Sequence, residues 1–257
     1  MSDALIQTTL AGSVLTLRIN RPDKKNALTQ AMYSAMADAV EAAATDPAVR
    51  VLLFTGTDGV FTSGNDIKDF LNAPPVSTDT PVARFMKALA VFPKPAVASV
   101  TGLAIGIGVT LLLHCDLVYV GKNTHLQMPF VNIGICPEYA STYLLPRIMG
   151  HQRAAELLLF GDPFTAQTAL EYGLVNAVLD DNAVDTYAQQ RATRLAQQPP
   201  NAVRVTKQLL KRWRQDVIEE AIVVEAEHFI QMLREPEAME AMTAFMEKRK
   251  PDFSRFS

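Results

Sequence analysis

The sequence predicts an α/β fold in which helices pack against largely parallel strands. Short and almost wholly apolar segments at 51–55, 96–100 and 117–120 are typical of buried strands, and segments with helical periodicity alternate with them. Hydrophobic residues make up 49% of the 257 residues, which suffices for a substantial core. The length allows one large domain, or one domain with a small appendage.

The first predicted elements are a hairpin and a helix. Apolar and polar residues alternate through residues 5–19 on both sides of Gly12, which predicts two strands joined by a turn. Thr29 is predicted to cap a helix that runs to about Ala44, because that segment carries an apolar stripe. Further along, residues 66–71 indicate a helical turn.

The middle of the chain repeats the order strand, helix, strand. Residues 72–81 are rich in Pro, Ser and Thr, and they predict a mobile loop. A predicted helix at 82–91 leads to the buried strand at 96–100, and another helix is predicted after Pro137. This alternation is the basis for predicting a parallel sheet.

The last part of the chain is predicted to be helical. Helical patterns dominate from residue 181 onward, with a break at Pro199-Pro200. We therefore predict an α/β core of residues 1–197 and a C-terminal helical region of residues 198–257. Its apolar stripes are too long for a small core to cover, which favours packing against the core or against another subunit.

Composition and cysteine content exclude several classes of protein. The net charge is −3 and no basic block marks a nucleic-acid surface, so we expect no nucleic-acid partner. Two cysteines are too few for a disulfide framework and favour the cytoplasm, and four scattered histidines predict no metal site. The N-terminus does not resemble a signal peptide. Glycines break the apolar run at 97–113, which predicts a strand, loop and helix and no membrane partner.

Glu138 stands alone among apolar neighbours. It is the only acidic residue between Lys122 and Met149. A lone carboxyl group in an apolar setting has a raised pKa, which suits a general acid or base. The alternative is a surface glutamate that caps a helix after Pro137, and the residues alone do not separate the two interpretations.

Two glycine-containing turns lie upstream of this carboxyl group. Residues 102–110 are nearly all apolar and have glycines where a helix would begin, while residues 63–66 (Ser-Gly-Asn-Asp) favour a tight turn with Asp66 as a helix cap. Backbone N–H groups in such turns stabilise a developing negative charge. Together with Glu138, they predict proton abstraction next to a carbonyl group. Ordinary strand-to-helix turns are the alternative interpretation.

Five segments, in order over nearly the whole chain, resemble the crotonase superfamily, also called the enoyl-CoA hydratase/isomerase family. They are 21–28 (Arg-Pro-Asp-Lys-Lys-Asn-Ala-Leu), 63–66, 102–110, 164–175 and 244–250. The resemblance implies a spiral of ββα units with a C-terminal helical trimerisation region, assembled as a homotrimer or a dimer of trimers. It also implies an acyl-CoA thioester substrate whose oxygen is held by the backbone N–H groups of Asn65 and Ile107.

The resemblance further implies which residues line the substrate site. They are Lys24, Asn26, Ala27, Ser63, Asp66, Ile67, Gly106, Thr110, Phe130, Phe245 and Lys248. Of these, Phe245 and Lys248 would close the adenine or phosphate end of coenzyme A. They would come either from the same subunit or from a neighbouring one.

Two positions distinguish the activities within the resemblance. Hydratases of the family carry two glutamates that activate water, and these would fall at Thr110 and Phe130, which cannot replace them. Residues within 128–149 resemble instead the peroxisomal-type Δ3,Δ2-enoyl-CoA isomerases, whose single catalytic glutamate falls at Glu138. Tyr139 departs from that group, in which glycine follows the glutamate. The resemblance implies an isomerase of fatty-acid β-oxidation without a metal or redox cofactor, since coenzyme A is part of the substrate.

Two other functions remain open at this point. One is another crotonase-type activity, such as a thioester hydrolase, a dehalogenase or a residual hydratase. A dehalogenase would need an aspartate nucleophile, and no aspartate occurs between Asp116 and Asp162. The other is a non-catalytic acyl-CoA-binding protein in which Glu138 serves only as a helix cap.

Overall fold

The computed structural model describes residues 4–57, 59–72 and 80–256. In chain order its strands are β1 (Ile6–Ala11), β2 (Val14–Ile19), β3 (Val51–Thr55), β4 (Ala96–Val100), β5 (Leu103–Ile105), β6 (Leu117–Gly121), β7 (His125–Gln127), β8 (Phe164–Thr165) and β9 (Ala177–Leu179). Its α-helices are α1 (Gln30–Thr45), α2 (Ile67–Asn72), α3 (Pro81–Ala90), α4 (Ile107–Thr110), α5 (Ser141–Met149), α6 (His151–Phe160), α7 (Ala166–Glu171), α8 (Val184–Ala196), α9 (Pro200–Arg212), α10 (Gln215–Met232) and α11 (Pro236–Met246).

The strands form a six-stranded sheet and a three-stranded sheet. In the larger sheet the strand order is β1-β2-β3-β4-β6-β9, and all neighbours after the antiparallel β1–β2 pair are parallel. In the smaller sheet β5 pairs in parallel with β7, and β7 pairs antiparallel with β8. The predicted α/β fold with largely parallel strands is therefore confirmed.

The local predictions are confirmed for the hairpin and the first helix. The hairpin closes with Ala11 paired to Val14. The hydroxyl oxygen of Thr29 accepts the N–H of Met32 at 3.3 Å and caps α1, as expected for a threonine at this position. The other predicted strands and helices form β3, β4, β6, α2, α3 and α5. Residues 73–79 of the predicted mobile loop lie outside the described residues.

The apolar run at 97–113 contains most of β4, all of β5 and α4, and the start of a 3-10 helix at Leu111–His114. The predicted strand and helix are confirmed, and the predicted loop contains the short strand β5. Gly102 makes the turn between the two strands possible. Its φ is 69°, and an added Cβ would lie 2.0 Å from the carbonyl oxygen of Gly59, so only glycine fits. Within the described ranges, no helix combines the length and apolar character needed to cross a membrane.

The larger sheet is buried on both faces. On one face, Leu52 and Phe54 of β3 join the main apolar cluster together with residues of α1 and α3. On the other face, Val51 and Leu53 pack with Ala188 of α8. Burial on both faces explains why β3 is apolar throughout instead of alternating with polar residues.

The C-terminal helices pack on the core and also leave apolar side chains exposed. Phe229 of α10 and Ala238 of α11 belong to the main apolar cluster, and α10 lies against α3 and α5. In contrast, Leu210 of α9 is 73% exposed and Trp213, just after α9, is 86% exposed. The boundary predicted between residues 197 and 198 stays a prediction.

Asn26 connects the loop after β2 to the loop after β3. Its Oδ1 accepts the backbone N–H of Arg21 at 2.8 Å, while its Nδ2 donates to the carbonyl oxygens of Val60 at 2.6 Å and Thr57 at 3.3 Å. Its φ is 57°, in the left-handed region that asparagine adopts more readily than most residues. The two loops that carry most of the predicted coenzyme A residues are therefore fixed to each other.

We predict that Asn26→Ala lowers the free energy of unfolding by ~2–4 kcal/mol, because buried backbone groups lose their partners. Lys25→Ala is the matched control, since Lys25 is also left-handed, with φ 49°, but its side chain is exposed. Denaturant unfolding measures both variants. Equal losses in the two variants would show that the hydrogen bonds of Asn26 contribute nothing beyond the backbone conformation.

Candidate active site

Glu138 lies in the turn that precedes α5, and its side chain is buried, with 7% of the residue exposed. The hydroxyl of Thr110 donates to its Oε1 at 3.5 Å, the long limit of a hydrogen bond. Burial, and then the negative charge of Glu225, raise the pKa of Glu138 to about 8 against the opposing effect of the Thr110 hydrogen bond. A carboxyl group with this pKa can accept and return a proton near neutral pH.

The backbone after Glu138 is left-handed at two residues, with φ 63° at Tyr139 and 56° at Ala140. Glycine adopts this conformation without strain, which gives a physical reason for the glycine that follows the glutamate in the isomerases the sequence resembles. Tyr139 adopts it with its ring buried. The Tyr139 hydroxyl donates to the carbonyl oxygen of Met86 at 2.8 Å, and His114 stacks on its ring at 3.8 Å. Tyr139 is buried, with 1% of its surface exposed, and its ring and hydroxyl both have partners inside the fold.

The turns that carry Asn65 and Ile107 lie side by side. The N–H of Thr62 donates to the carbonyl oxygen of Leu103 at 3.0 Å, and the N–H of Ile105 donates to that of Thr62 at 3.2 Å. No acceptor among the described residues pairs with the backbone N–H of Asn65 or of Ile107. Both implied oxyanion donors are therefore available to a ligand oxygen.

Tyr33 of α1 bonds to one of these turns, although no sequence motif marked it. Its hydroxyl donates to Oδ1 of Asn65 at 2.5 Å. Burial, and then the charge of Glu138, raise the pKa of Tyr33 well above its usual value. The one signal in the sequence is a tyrosine on the apolar face of a predicted helix, because a buried hydroxyl needs a partner.

Thr110 and Phe130, the positions of the missing hydratase glutamates, are both buried beside the site. Gly106 begins α4 with φ 55°, and a Cβ added to it would lie 4.0 Å from the ring of Phe130, its nearest neighbour. Thr110 contacts Glu138 as described. At these two positions the site presents a hydroxyl and an aromatic ring instead of carboxylates.

Six of the implied coenzyme A residues lie in two adjacent segments, 24–27 and 63–67, the second of which runs into α2. These residues are Lys24, Asn26, Ala27, Ser63, Asp66 and Ile67. The segments meet where the N–H of Ser63 donates to the carbonyl oxygen of Lys25 at 3.0 Å and its hydroxyl to that of Lys24 at 3.5 Å. The side chain of Asn26 is fully occupied by its bonds between the loops, which leaves its backbone as the part that could face a ligand.

Asp66 is occupied in a similar way. Its carboxylate pairs with the guanidinium group of Arg21 at 2.7 Å and accepts the N–H groups of Lys68 and Asp69 at 3.0 and 3.1 Å. Burial raises the pKa of Asp66, but the hydrogen bonds from Arg21 and from these N–H groups outweigh burial and lower it. The predicted helix cap is confirmed, and the side chain has little capacity left for a substrate.

Phe245 and Lys248 lie at the end of α11. Phe245 is 58% exposed, and Lys248, also exposed, has a left-handed φ of 57°. Their role at the adenine or phosphate end of coenzyme A stays a prediction.

A second buried carboxyl group, that of Glu225 on α10, lies beside the site. It is 6% exposed and accepts the N–H of Ala140 at 2.6 Å through one oxygen. The other oxygen accepts the N–H of Thr142 at 3.0 Å and its hydroxyl at 2.5 Å. Glu225 therefore caps the start of α5, and the hypothesis that Glu138 is a surface helix cap is wrong.

The known proteins that are similar to this chain include enzymes with different activities. The structure of Pseudomonas aeruginosa OdaA matches with a TM-score of 0.93 and 52% identity, over 95% of this chain and 99% of that chain. Enoyl-CoA delta isomerase 3, peroxisomal, of Mus musculus is 37% identical over 213 residues, which cover 80% of this chain and 67% of that protein. The 2,3-dehydroadipyl-CoA hydratase of Escherichia coli (strain K12) is 34% identical over 242 residues, 93% of this chain and 94% of that protein.

The family model described as Enoyl-CoA hydratase/isomerase matches residues 9–255, nearly the whole chain. This range includes Glu138 and both turns with available N–H groups. The agreement with the solved structure confirms the predicted crotonase-like fold. The chain therefore belongs to the enoyl-CoA hydratase/isomerase family.

Proposed function

We propose that this chain is a Δ3,Δ2-enoyl-CoA isomerase, which converts a 3-enoyl-CoA into trans-2-enoyl-CoA in fatty-acid β-oxidation. The observation that carries the proposal is the buried Glu138, whose pKa is raised to about 8. No glutamate accompanies it at positions 110 and 130, where the hydratase glutamates would fall. The available N–H groups of Asn65 and Ile107 supply the second requirement, a site for the thioester oxygen.

The mechanism needs one base and one oxyanion site. Ionised Glu138 takes a proton from C2, and the electron pair of the broken C–H bond delocalises onto the thioester oxygen. The N–H groups of Asn65 and Ile107 bind that oxygen, and each contributes about 3 kcal/mol to the lowering of the barrier. Glu138 then returns the proton to C4, so that the C3–C4 double bond is lost and the C2–C3 double bond forms. No electrons leave the substrate, so the reaction requires no redox cofactor, and the two N–H groups stabilise the thioester oxygen without a metal ion.

Hydration is the competing activity, and Thr110 and Phe130 argue against it. Addition of water needs a positioned water molecule and groups that move its protons, and neither a buried hydroxyl nor a phenyl ring is a base near neutral pH. The names of the similar proteins do not decide the question, since one is a delta isomerase and another is a hydratase.

The substrate test uses 3-hexenoyl-CoA and 2-hexenoyl-CoA in separate reactions. We predict that absorbance of the conjugated thioester rises with the first substrate and does not fall with the second. Efficient loss of that absorbance with 2-hexenoyl-CoA would identify a hydratase. Binding of both thioesters without any change would identify a non-catalytic acyl-CoA-binding protein.

We predict that Glu138→Gln lowers kcat for 3-hexenoyl-CoA by about 10²–10⁴-fold, because the amide cannot accept the C2 proton. Binding of the acyl-CoA, measured by calorimetry, should remain close to wild type. Glu220→Gln, an exposed position on α10, is the matched control and should keep full activity. Near-normal turnover by Glu138→Gln would refute Glu138 as the base.

The raised pKa of Glu138 predicts the pH dependence. Only the ionised carboxylate accepts the C2 proton, so kcat/KM should rise about tenfold per pH unit below pH 8 and level off above it. The profile is measured with 3-hexenoyl-CoA across the stability range of the protein. A plateau that begins near the ordinary glutamate pKa of about 4.3 would contradict the assignment.

We also propose that the chain assembles as a homotrimer or a dimer of trimers through its C-terminal helices. The exposed Leu210, Trp213 and Val223 are apolar groups of the kind that subunit contacts cover. Light scattering at micromolar concentration should give three or six times the mass of one chain. Trp213→Glu should reduce that mass if this surface is buried, and a monomer mass for the wild type would exclude the assembly.

A cytoplasmic location completes the proposal. Both cysteines, Cys115 and Cys136, are free thiols, as expected in a reducing compartment. Fractionation of the cells that make the protein tests the location.

A further inference from the structure

Two buried carboxyl groups meet at the start of α5, and the proposed reaction uses only one of them. Glu138 precedes the helix in the chain, whereas Glu225 reaches it from α10, 85 residues away from Ala140. Both oxygens of Glu225 are occupied by Ala140 and Thr142, so Glu225 itself is not available to a substrate.

We propose that Glu225 is a positioning residue for the reaction at Glu138. By binding the donors at the start of α5, it fixes the left-handed turn at Tyr139 and Ala140 and keeps the Glu138 carboxyl group in the site. The proposal rests on the proposed function for its kinetic test, but the ionisation of Glu138 can be measured without turnover.

The first argument is competition for the end of the helix. The N–H groups at a helix N-terminus attract a carboxylate, both as hydrogen-bond donors and through the helix dipole. Glu138 lies only three residues before Ser141, close enough in the chain to turn back onto these donors. Glu225 already occupies the donors of Ala140 and Thr142, so the Glu138 carboxyl group remains in its apolar setting.

The second argument is the backbone itself. Two successive left-handed residues other than glycine are strained, and such a turn persists only where the surroundings hold it. The bond from the N–H of Ala140 to Glu225 holds the second residue of this turn at 2.6 Å. Release of that bond would let the turn relax and move Glu138, whose carbonyl oxygen accepts the N–H of Ser141 at 3.1 Å.

The third argument is the charge of Glu225. Burial raises the pKa of Glu225 above its ordinary value, and hydrogen bonds from Thr142, Ala140 and Ser141 offset only part of that rise. An ionised Glu225 beside Glu138 disfavours a second negative charge, so it shifts Glu138 toward the protonated form at neutral pH.

Four titratable groups close to the two carboxyls carry no charge near neutral pH, whereas Lys211, Arg214 and Lys207 are cations that act on His114. Burial raises the pKa of Cys136 to about 11 and those of Tyr33 and Tyr139 well above their usual values. Burial lowers the pKa of His114, stacked on Tyr139, to about 3, so its imidazole is neutral. Glu225 is the charged group that raises the pKa of Glu138, so removal of its charge should change the pKa of Glu138.

The experiment compares Glu225→Gln with wild type and with Glu220→Gln, the exposed control on the same helix. Removal of the charge should lower the pKa of Glu138, so the rising limb of kcat/KM should move to lower pH by about one unit. Loss of positioning should lower kcat on the plateau by about tenfold with KM changed less than about twofold. Glu220→Gln should change neither quantity.

The ionisation of Glu138 is measured directly by infrared spectroscopy of the ligand-free protein, with its carboxyl band assigned by its absence in Glu138→Gln. A lower pKa of Glu138 in Glu225→Gln supports the proposal even if the protein proves not to be an isomerase. A failure of the proposed isomerase function can therefore be told apart from a failure of the role proposed for Glu225. An unchanged carboxyl pKa together with an unchanged kcat would overturn it.

Thr142→Val is the second variant, in case Glu225→Gln does not fold. It removes the hydroxyl donor to Glu225 but keeps the charge and the backbone N–H bonds. We expect kcat to fall by about threefold, with the rising limb of kcat/KM within about 0.3 pH unit of wild type, because the carboxylate is held less firmly. A wild-type kcat for Thr142→Val, in the absence of a folded Glu225→Gln, would overturn the positioning role.

Discussion

Burial of the Glu138 carboxyl group is the constraint on which the rest of the site depends. In water its pKa would be near that of an ordinary glutamate, and the carboxylate would be too weak a base for a proton next to a thioester carbonyl. Desolvation, and then the charge of Glu225, raise the pKa to about 8. The same desolvation costs folding free energy, so the groups around the carboxyl must be apolar or already paired. Phe130 is apolar, and the hydroxyl of Tyr33 is paired with Asn65, which accounts for two features that otherwise look unrelated to catalysis.

The left-handed turn after Glu138 shows how the fold meets that constraint. Contacts from three different parts of the chain hold it. The carbonyl oxygen of Met86 on α3 accepts the hydroxyl of Tyr139, and the ring of His114 donates an N–H to the carbonyl oxygen of Tyr139 at 2.9 Å. Glu225 of α10 accepts the N–H of Ala140. A single contact would leave the strained turn free to relax, whereas several contacts from packed elements define one position for the base. Helix α10 therefore belongs to the site as well as to the predicted C-terminal helical region.

The sequence predicts the elements whose signals are local, and it misses the contacts that join distant residues. Thr29 is predicted as a cap from its place just before an apolar stripe, and its partner, Met32, lies only three residues away. The Tyr33–Asn65 bond spans 32 residues, and the Glu225–Ala140 bond spans 85, so no periodicity or turn pattern reports either of them. Glu225 is also one of several carboxylates on α10, and the helical period alone does not say which of them meets α5. The resemblance supplied Asn26 as a coenzyme A residue but not its hydrogen bonds to Arg21, Thr57 and Val60, because a motif carries positions and not the partners of each side chain.

In the proposed function, the difference between isomerase and hydratase rests on the residues at positions 110 and 130 beside Glu138. Overall identity averages over more than two hundred residues, which is why a delta isomerase at 37% and a hydratase at 34% are similar to this chain to almost the same degree. The residues beside Glu138 distinguish the two activities better than overall identity does. The hydroxyl of Thr110 lies 3.5 Å from the Glu138 carboxylate, so a glutamate at position 110 would place a second carboxyl group against the base. Like charges at that distance raise each other's pKa, and Glu225 already raises that of Glu138. A carboxylate at 110 and an ionisable base at 138 would therefore compete for the same desolvated space, and in the proposed mechanism the neutral Thr110 is a condition for Glu138 to act alone.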